Sequence, residues 1–225
     1  LELYARIREI LFEGNVLLSF SDTVTGLFCH PYSDKAVSTV RMLKRRDPSK
    51  GFIMLISDIS GLCSVGGFEK AFISRFWPGP LTIILPCSEP ALASLSPDGR
   101  TMAVRYPSDS FWTGFLKYHA FAVLSTSANE YSCLYSEFIR DSRLSKTDYQ
   151  ISFSCFIKGY FYELIKLSGS SIGIDFILSR KPFLEDRPCL PSTLISLFNN
   201  RLNVLREGKI SSSELYAFYR KLSSV

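Results

Sequence analysis

The chain has 225 residues, 46% of them hydrophobic and 21% charged, with a net charge of +5. That length buries a sizeable core, and that balance excludes a disordered chain. No uncharged apolar run approaches the ~20 residues of a membrane span. Residues 1–13 place Glu2, Arg6, Arg8, Glu9 and Glu13 among apolar residues at helical spacing, an amphipathic helix and not a signal peptide. Both observations point to the cytoplasm. The mild positive charge suits an anionic ligand, nucleotide or RNA, without choosing between them. The six cysteines are scattered without a CxxC pair, so the expectation is buried free thiols and no metal site. Only two histidines are present, His30 and His119, and nothing in their surroundings supports a catalytic triad.

After the first helix, Val16-Leu17-Leu18 reads as a buried strand that breaks into Ser19-Phe20-Ser21-Asp22-Thr23-Val24-Thr25-Gly26-Leu27. A strand fixes the backbone there, and short polar side chains let a ligand approach closely. Asp34 to Leu43 has a helical pattern with Ser33 as N-cap. It ends in Arg41, Lys44, Arg45, Arg46 and, past Asp47-Pro48, Lys50. Cations suit a helix C-terminus, and they also suit an anion gathered on the loop that follows, so from spacing alone both readings stand. Phe52–Ile56 is a strand, and a short helix over about Phe68–Phe76 stops at Trp77-Pro78-Gly79-Pro80-Leu81-Thr82, a rigid turn. Ile83–Leu85 and Thr101–Arg105 are strands, the second leaving Arg105 at its end. Its alternatives are a cleft residue or a surface ion pair.

A helix over about Asp109–Lys117 precedes the strand Phe121–Leu124, which runs into Ser125-Thr126-Ser127-Ala128-Asn129. Small hydroxyls and an amide again sit at a strand end, where they can bind phosphate or ribose or cap a helix. Ser136–Arg143 has helical character, and Ile151–Ile165 fits strand or helix. Ile172–Leu178 reads as a strand and Lys181–Pro191 as a loop. Leu194–Leu197 and Leu202–Leu205 form a hairpin across Asn199-Asn200, ending in Arg206-Glu207-Gly208. The last helix opens with the capping-box spacing Ser211 to Glu214. The expected fold is α/β: one domain over residues 1–225, a twisted mixed parallel and antiparallel sheet with flanking helices, residues 134–170 being divergent or inserted. Neither GxxxxGK[ST] nor a strand-linked GxGxxG occurs.

Taken in order, Phe20–Leu27, Lys44 with Arg46 and Lys50, Trp77–Thr82, Arg105-Tyr106-Pro107, Ser127-Ala128-Asn129, Ser192-Thr193 and Leu205-Arg206-Glu207-Gly208 resemble the successive motifs of the YrdC-like family, the threonylcarbamoyl-AMP synthases. The matches span nearly the whole chain. The resemblance implies a YrdC-like fold with a positively charged cleft. The implied activity condenses L-threonine, bicarbonate and ATP to threonylcarbamoyl-AMP and pyrophosphate with Mg2+, for threonylcarbamoyl-adenosine modification of tRNA by a separate transferase complex. It further implies Lys44, Arg46, Ser127 and Asn129 as the catalytic set at carbamate and triphosphate. Thr23, Lys50 and Arg105 would bind substrate, and Ser192 and Arg206 the nucleotide. Such chemistry draws its nucleophiles from the substrates and asks the protein to gather anions.

The departures are Phe20 for the family's proline and Thr25 for its tyrosine, both at the threonine pocket. Tyr131-Ser132 stands where a small turn is usual, and Ser179-Arg180 where two glycines are usual. The charged and amide residues persist while pocket-shaping ones drift. The alternative readings are a non-catalytic module binding tRNA or double-stranded RNA through the same basic cleft, a degenerate partner subunit, and a domain of a carbamoyl-transfer protein.

Overall fold

The computed structural model describes residues 1–45, 50–59, 63, 65–128, 149–157, 160–167, 174–181 and 190–224. In chain order they form α1 (Glu2–Phe12), β1 (Leu17–Ser19), β2 (Gly26–Cys29), α2 (Asp34–Leu43), β3 (Ile53–Leu55), α3 (Gly67–Phe76), β4 (Leu81–Pro86), α4 (Pro90–Ala93), β5 (Thr101–Arg105) and α5 (Ser110–His119). There follow β6 (Val123–Ser127), β7 (Tyr149–Ile157), β8 (Tyr160–Leu167), β9 (Phe176–Lys181), β10 (Thr193–Phe198), β11 (Arg201–Arg206) and α6 (Ser212–Ser223). The α/β fold with mixed sheet pairing is as expected. No helix among the described residues is long and apolar enough to cross a membrane. The Ser136–Arg143 helix expectation lies outside the described residues.

The chain divides into two compact units. The first comprises residues 1–46 and 123–189, and the second residues 47–122 and 190–225. In the first unit the strands run β6-β2-β1-β9-β8-β7. Among the described strands of this unit only β1 and β9 pair in parallel, with Leu17 opposite Phe176 and Ser19 opposite Leu178; the other pairs are antiparallel. Its core strands read Leu17, Leu18, Leu27 and Phe28, all at most 1% exposed. The α1 stripe of Leu3, Ile7, Ile10 and Leu11 is buried at the i, i+4, i+7, i+8 spacing of one helix face. Helix α2 starts where expected because the Ser33 hydroxyl accepts from Ala36 N at 3.3 Å.

In the second unit the order is β11-β10-β4-β5-β3, with β10·β4 and β3·β5 parallel and β10·β11 and β4·β5 antiparallel. Aromatic side chains fill much of the core of this unit. Phe72 and Phe76 of α3 meet Phe218 of α6 edge-on at 5.1 and 5.5 Å, and Phe68 meets Tyr219 at 5.6 Å. Trp112, flanked by Phe111 and Phe115 on α5, is wholly buried. The β10–β11 turn places Asn199 and Asn200 at φ 49° and 60°, the left-handed pair of a type I′ hairpin that asparagine tolerates.

Asp98 shapes the turn into β5. Burial raises its carboxyl pKa, but hydrogen bonds from Arg100 N, Thr101 N, the Thr101 hydroxyl and the Ser96 hydroxyl more than offset this and hold it at about 2. A carboxyl held below its unfolded value stabilises the fold above pH ~4, and that stabilisation is lost as pH falls through 2. Asp98→Asn is therefore expected to flatten the acid limb of the stability profile between pH 4 and 2. Urea midpoints measured against pH check this, and an unchanged acid limb contradicts it.

Candidate functional site

In the first unit the chain leaves β1 at Ser19 and re-enters β2 at Gly26, so residues 20–25 form a loop anchored at both ends. The Ser21 hydroxyl sets its shape. It donates to Val24 O at 2.7 Å, accepts from Thr23 N at 3.1 Å and lies 3.1 Å from the Thr23 hydroxyl. Thr23 is buried, at 4% exposed. Thr25 O accepts from Ala128 N at 2.8 Å, which seats the loop beside the end of β6. Ser125, Thr126 and Ser127 lie inside β6 rather than beyond it, because they pair with Phe28, Leu27 and Gly26. The strand therefore delivers Ser127 in register with the start of β2.

Helix α2 stops at Lys44 and turns at Arg45, whose φ is +41°. The Lys44 side chain leaves the helix end and donates through Nζ to Ser127 O at 2.7 Å. That contact bridges positions far apart in sequence and goes beyond what a solvated helix end requires. Lys44 and Ser127 are thus joined directly, and the Thr23 loop is seated beside them through Thr25 O. Arg46 and Asn129 lie outside the described residues.

Two of the departures noted in the sequence touch each other. The Arg180 guanidinium sits over the Phe20 ring at 4.2 Å, with both residues buried and the Tyr162 ring 6.1 Å from that of Phe20. Tyr162 faces Arg180 across β8 and β9. The aromatic and the cation therefore pack as one pair.

In the second unit a network of buried hydroxyls organises the residues expected at the nucleotide. Thr82 Oγ1 and Ser192 Oγ are 2.8 Å apart, with Thr82 wholly buried and Ser192 at 3% exposed. Arg206 donates through Nε and Nη2 to Ser192 O at 3.2 and 2.9 Å and through Nη2 to Ser192 Oγ at 3.2 Å. Partial burial holds the Arg206 pKa below its ordinary value. Its Nη1 edge makes no hydrogen bond among the described residues. Thr193 Oγ1 donates to Ile210 O at 2.6 Å and accepts from Gly208 N and Ile210 N at 3.0 Å each. Lys209 N adds a bond to Pro191 O at 3.0 Å. Sequence reasoning assigned no role to Thr82, Thr193 or Gly208; their signal was their place inside the Trp77–Thr82 and Leu205–Gly208 runs.

The proline-glycine turn is the hub of this unit. Trp77 Nε1 donates to Leu81 O at 2.7 Å, Gly79 N to Tyr106 O at 2.8 Å, and Thr193 N to Pro80 O at 2.9 Å. It thereby ties the starts of β4 and β10 to the end of β5. Arg105, on that end, is 3% exposed, so the surface ion pair is not its arrangement. Lys50 is exposed ahead of β3.

Neither histidine stands in these constellations. His30 packs against Phe12 and Tyr32, its pKa lowered by burial and then by Arg8, and His119 packs against Phe115, Tyr118 and Phe121. Among the described residues no three His, Cys, Asp or Glu side chains gather to hold a metal. Magnesium bound with a nucleotide keeps waters and takes phosphate oxygens with one or two carboxylates. Asp22, half-buried on the Thr23 loop, is a carboxylate of that kind.

The family model described as telomere recombination, for Sua5, YciO and YrdC, matches residues 9–154. The chain belongs to the Sua5/YciO/YrdC family. Members similar to it include the threonylcarbamoyl-AMP synthases of Alkalilimnicola ehrlichii, 35% identical over 130 residues, and Chromobacterium violaceum, 29% identical over 131. Those alignments cover 55% and 56% of this chain and 68% of each synthase. Among solved members, P. abyssi Sua5 complexed with L-threonine superposes with a TM-score of 0.66 at 21% identity, over 95% of this chain and 56% of that one. E. coli YciO superposes with a TM-score of 0.62 at 19% identity, over 92% and 90%. These two likenesses carry the family fold, and the chain spans little more than half of Sua5.

Proposed function

We infer that the protein is a threonylcarbamoyl-AMP synthase, a nucleotidyltransferase that joins L-threonine, bicarbonate and ATP. The observation that carries this reading is the run of synthases among its relatives, at 29% and 35% identity in the two described above. The arrangement of each unit is chemically suited to it. The threonine amine attacks bicarbonate carbon, water is lost, and a carbamate oxygen attacks the ATP α-phosphorus as pyrophosphate leaves. No protein nucleophile is needed. What the chain supplies is position and positive charge.

In this reading Thr23 and its Ser21-braced loop hold threonine. Lys44, fixed on Ser127 O, joins Arg46 and Asn129 in stabilising the carbamate and the phosphate charge. Lys50 and Arg105 add positive charge for phosphate or the threonine carboxylate. Ser192 and the outer edge of Arg206 hold the nucleotide. Mg2+ would ride on the triphosphate and shield its charge, with Asp22 as the carboxylate at hand. The product is a mixed anhydride that a separate transferase complex would consume on tRNA, and in this reading the enzyme would work beside it in the cytoplasm.

Arg206→Lys tests the nucleotide assignment. Lysine keeps the charge but loses the fork that grips Ser192. The KM for ATP is expected to rise ~10-fold, about 1.4 kcal/mol, with the KM for threonine unchanged. An unchanged KM for ATP removes Arg206 from the nucleotide site. The reading as a whole is tested by pyrophosphate release from ATP and bicarbonate with magnesium and no RNA. Release that requires L-threonine supports it. ATP binding without release would mean the Phe20–Arg180 pair has altered the amine accepted, and no ATP binding would favour the RNA-binding or partner-subunit alternatives.

A further inference from the structure

Cys63 and Cys87 belong to the second unit and to no part of the site described above. Cys63 lies between β3 and α3, and Cys87 directly follows β4. The two residues face each other as an isolated antiparallel bridge. Neither amide is spent on the other: Cys63 N donates to Ile59 O at 3.4 Å and Cys87 N to Arg100 O at 2.9 Å. That is the arrangement of a non-hydrogen-bonded pair, in which facing Cα atoms approach to ~4.5 Å and side chains lie closest. A pair of that kind falls inside the Cα range of a disulfide, ~4.4–6.8 Å. Both thiols are free in this structure, Cys63 buried and Cys87 partly exposed.

We propose that Cys63 and Cys87 are a redox-active dithiol that hydrogen peroxide converts to an intrachain disulfide. Burial, the neighbouring Cys87 and a hydrogen bond to it push the Cys63 thiol up to about 12. Cys63 therefore keeps its proton, and Cys87, the more exposed sulfur, reacts first. The Cys87 sulfur attacks one peroxide oxygen, the O–O bond breaks, and Cys87 becomes a sulfenic acid as the other oxygen leaves as water. The Cys63 sulfur then attacks the sulfenic sulfur. The S–S bond forms, the S–O bond breaks, and the hydroxyl leaves with the Cys63 proton as a second water. The two thiols lose two electrons and the peroxide gains both. The new bond ties the segment ahead of α3 to the end of β4, the strand that begins at the proline-glycine turn. Cys29, 1% exposed, with its thiol pushed up to about 12 by burial alone, serves as the internal control.

The test treats the full chain with hydrogen peroxide, quenches the oxidant, unfolds the protein in denaturant while blocking the remaining thiols by alkylation, digests it and maps the peptides by mass spectrometry. The expected result is one cross-linked pair carrying Cys63 and Cys87, reversed by dithiothreitol, with Cys29 alkylated throughout. In Cys63→Ser the cross-link disappears and dimedone traps a sulfenic acid on Cys87. Oxidation of Cys87 to a sulfinic acid without a cross-link overturns the proposal. So does a cross-link from Cys87 to another cysteine, or full alkylation of both residues after peroxide. Because the wild-type map decides between these outcomes, the proposal stays testable if the serine variant fails to fold.

Discussion

Lys44→Ala leaves the protein folded and lowers kcat for threonine-dependent pyrophosphate release by about 10²- to 10³-fold, the scale of losing one fixed stabiliser of developing charge. The two halves of that expectation come from different facts. The loss in stability is at least that of the hydrogen bond to Ser127 O, ~1 kcal/mol, because the ammonium leaves the end of α2 to reach it. The loss in rate is larger because the bond fixes a cation at the strand end where Ser127 and Ala128 meet the Thr23 loop. A charge held in place before reaction costs no reorganisation when phosphate charge builds. Steady-state kinetics beside a thermal melt separate the two effects. Full activity with a lowered melting temperature would make Lys44 a structural residue and move the catalytic role to Arg46 and Asn129.

Gly208→Ala is expected to have the largest effect on stability, about 3 kcal/mol, which lowers the melting temperature by ~10 °C in a chain of this size. A Cβ at Gly208 would lie 2.7 Å from Ser192 C and 2.8 Å from Thr193 N, and closer still to Pro191 O. All three are backbone atoms, so no side chain can swing aside. Relief requires the 208–210 segment to lift away, which breaks the Gly208 and Ile210 bonds to Thr193 Oγ1 and the Lys209 bond to Pro191 O. The same movement carries Arg206 off Ser192, so ATP affinity falls with stability. Calorimetry and nucleotide titration of the variant check both parts. A stable variant with intact ATP affinity would mean that the glycine is tolerant and that its contact with the start of β10 is not what holds the site.

The elements that sequence placed to within a residue or two are those closed by local bonds. Ser33, Asp109 and Ser211 each cap the helix they precede, because a side-chain oxygen accepts from a backbone N–H two or three residues on. Asn199-Asn200 declared its hairpin by the same locality. Strands set by distant partners were harder. Gly26 and Leu27 read as the end of the Ser19–Leu27 loop and instead open the strand Gly26–Cys29, because β1 and β6 flank it. Ile151–Ile165 fitted helix or strand and contains most of the β7–β8 hairpin. The strand expected at Ile172–Leu178 runs instead over Phe176–Lys181, where parallel pairing to β1 and antiparallel pairing to β8 set its register. Charged Arg180 and Lys181 disguised its end.

The site was legible in its residues and less so in its connections. Lys44 and Ser127 were named from motifs, but their bond joins a helix end to a strand end far along the chain. Thr193 read as part of a two-residue motif beside Ser192, yet all three of its hydroxyl bonds go to the Gly208–Ile210 segment. Phe20 and Arg180 appeared as separate departures from the family pattern, and only their stacking makes them one change.

The most direct test of the account is to supply labelled bicarbonate with ATP, magnesium and L-threonine, without RNA, and to look for the label in an acyl adenylate by mass spectrometry. The account predicts labelled threonylcarbamoyl-AMP formed in step with pyrophosphate. Pyrophosphate appearing with unlabelled AMP alone would show ATP hydrolysis without carbamate transfer and would contradict it.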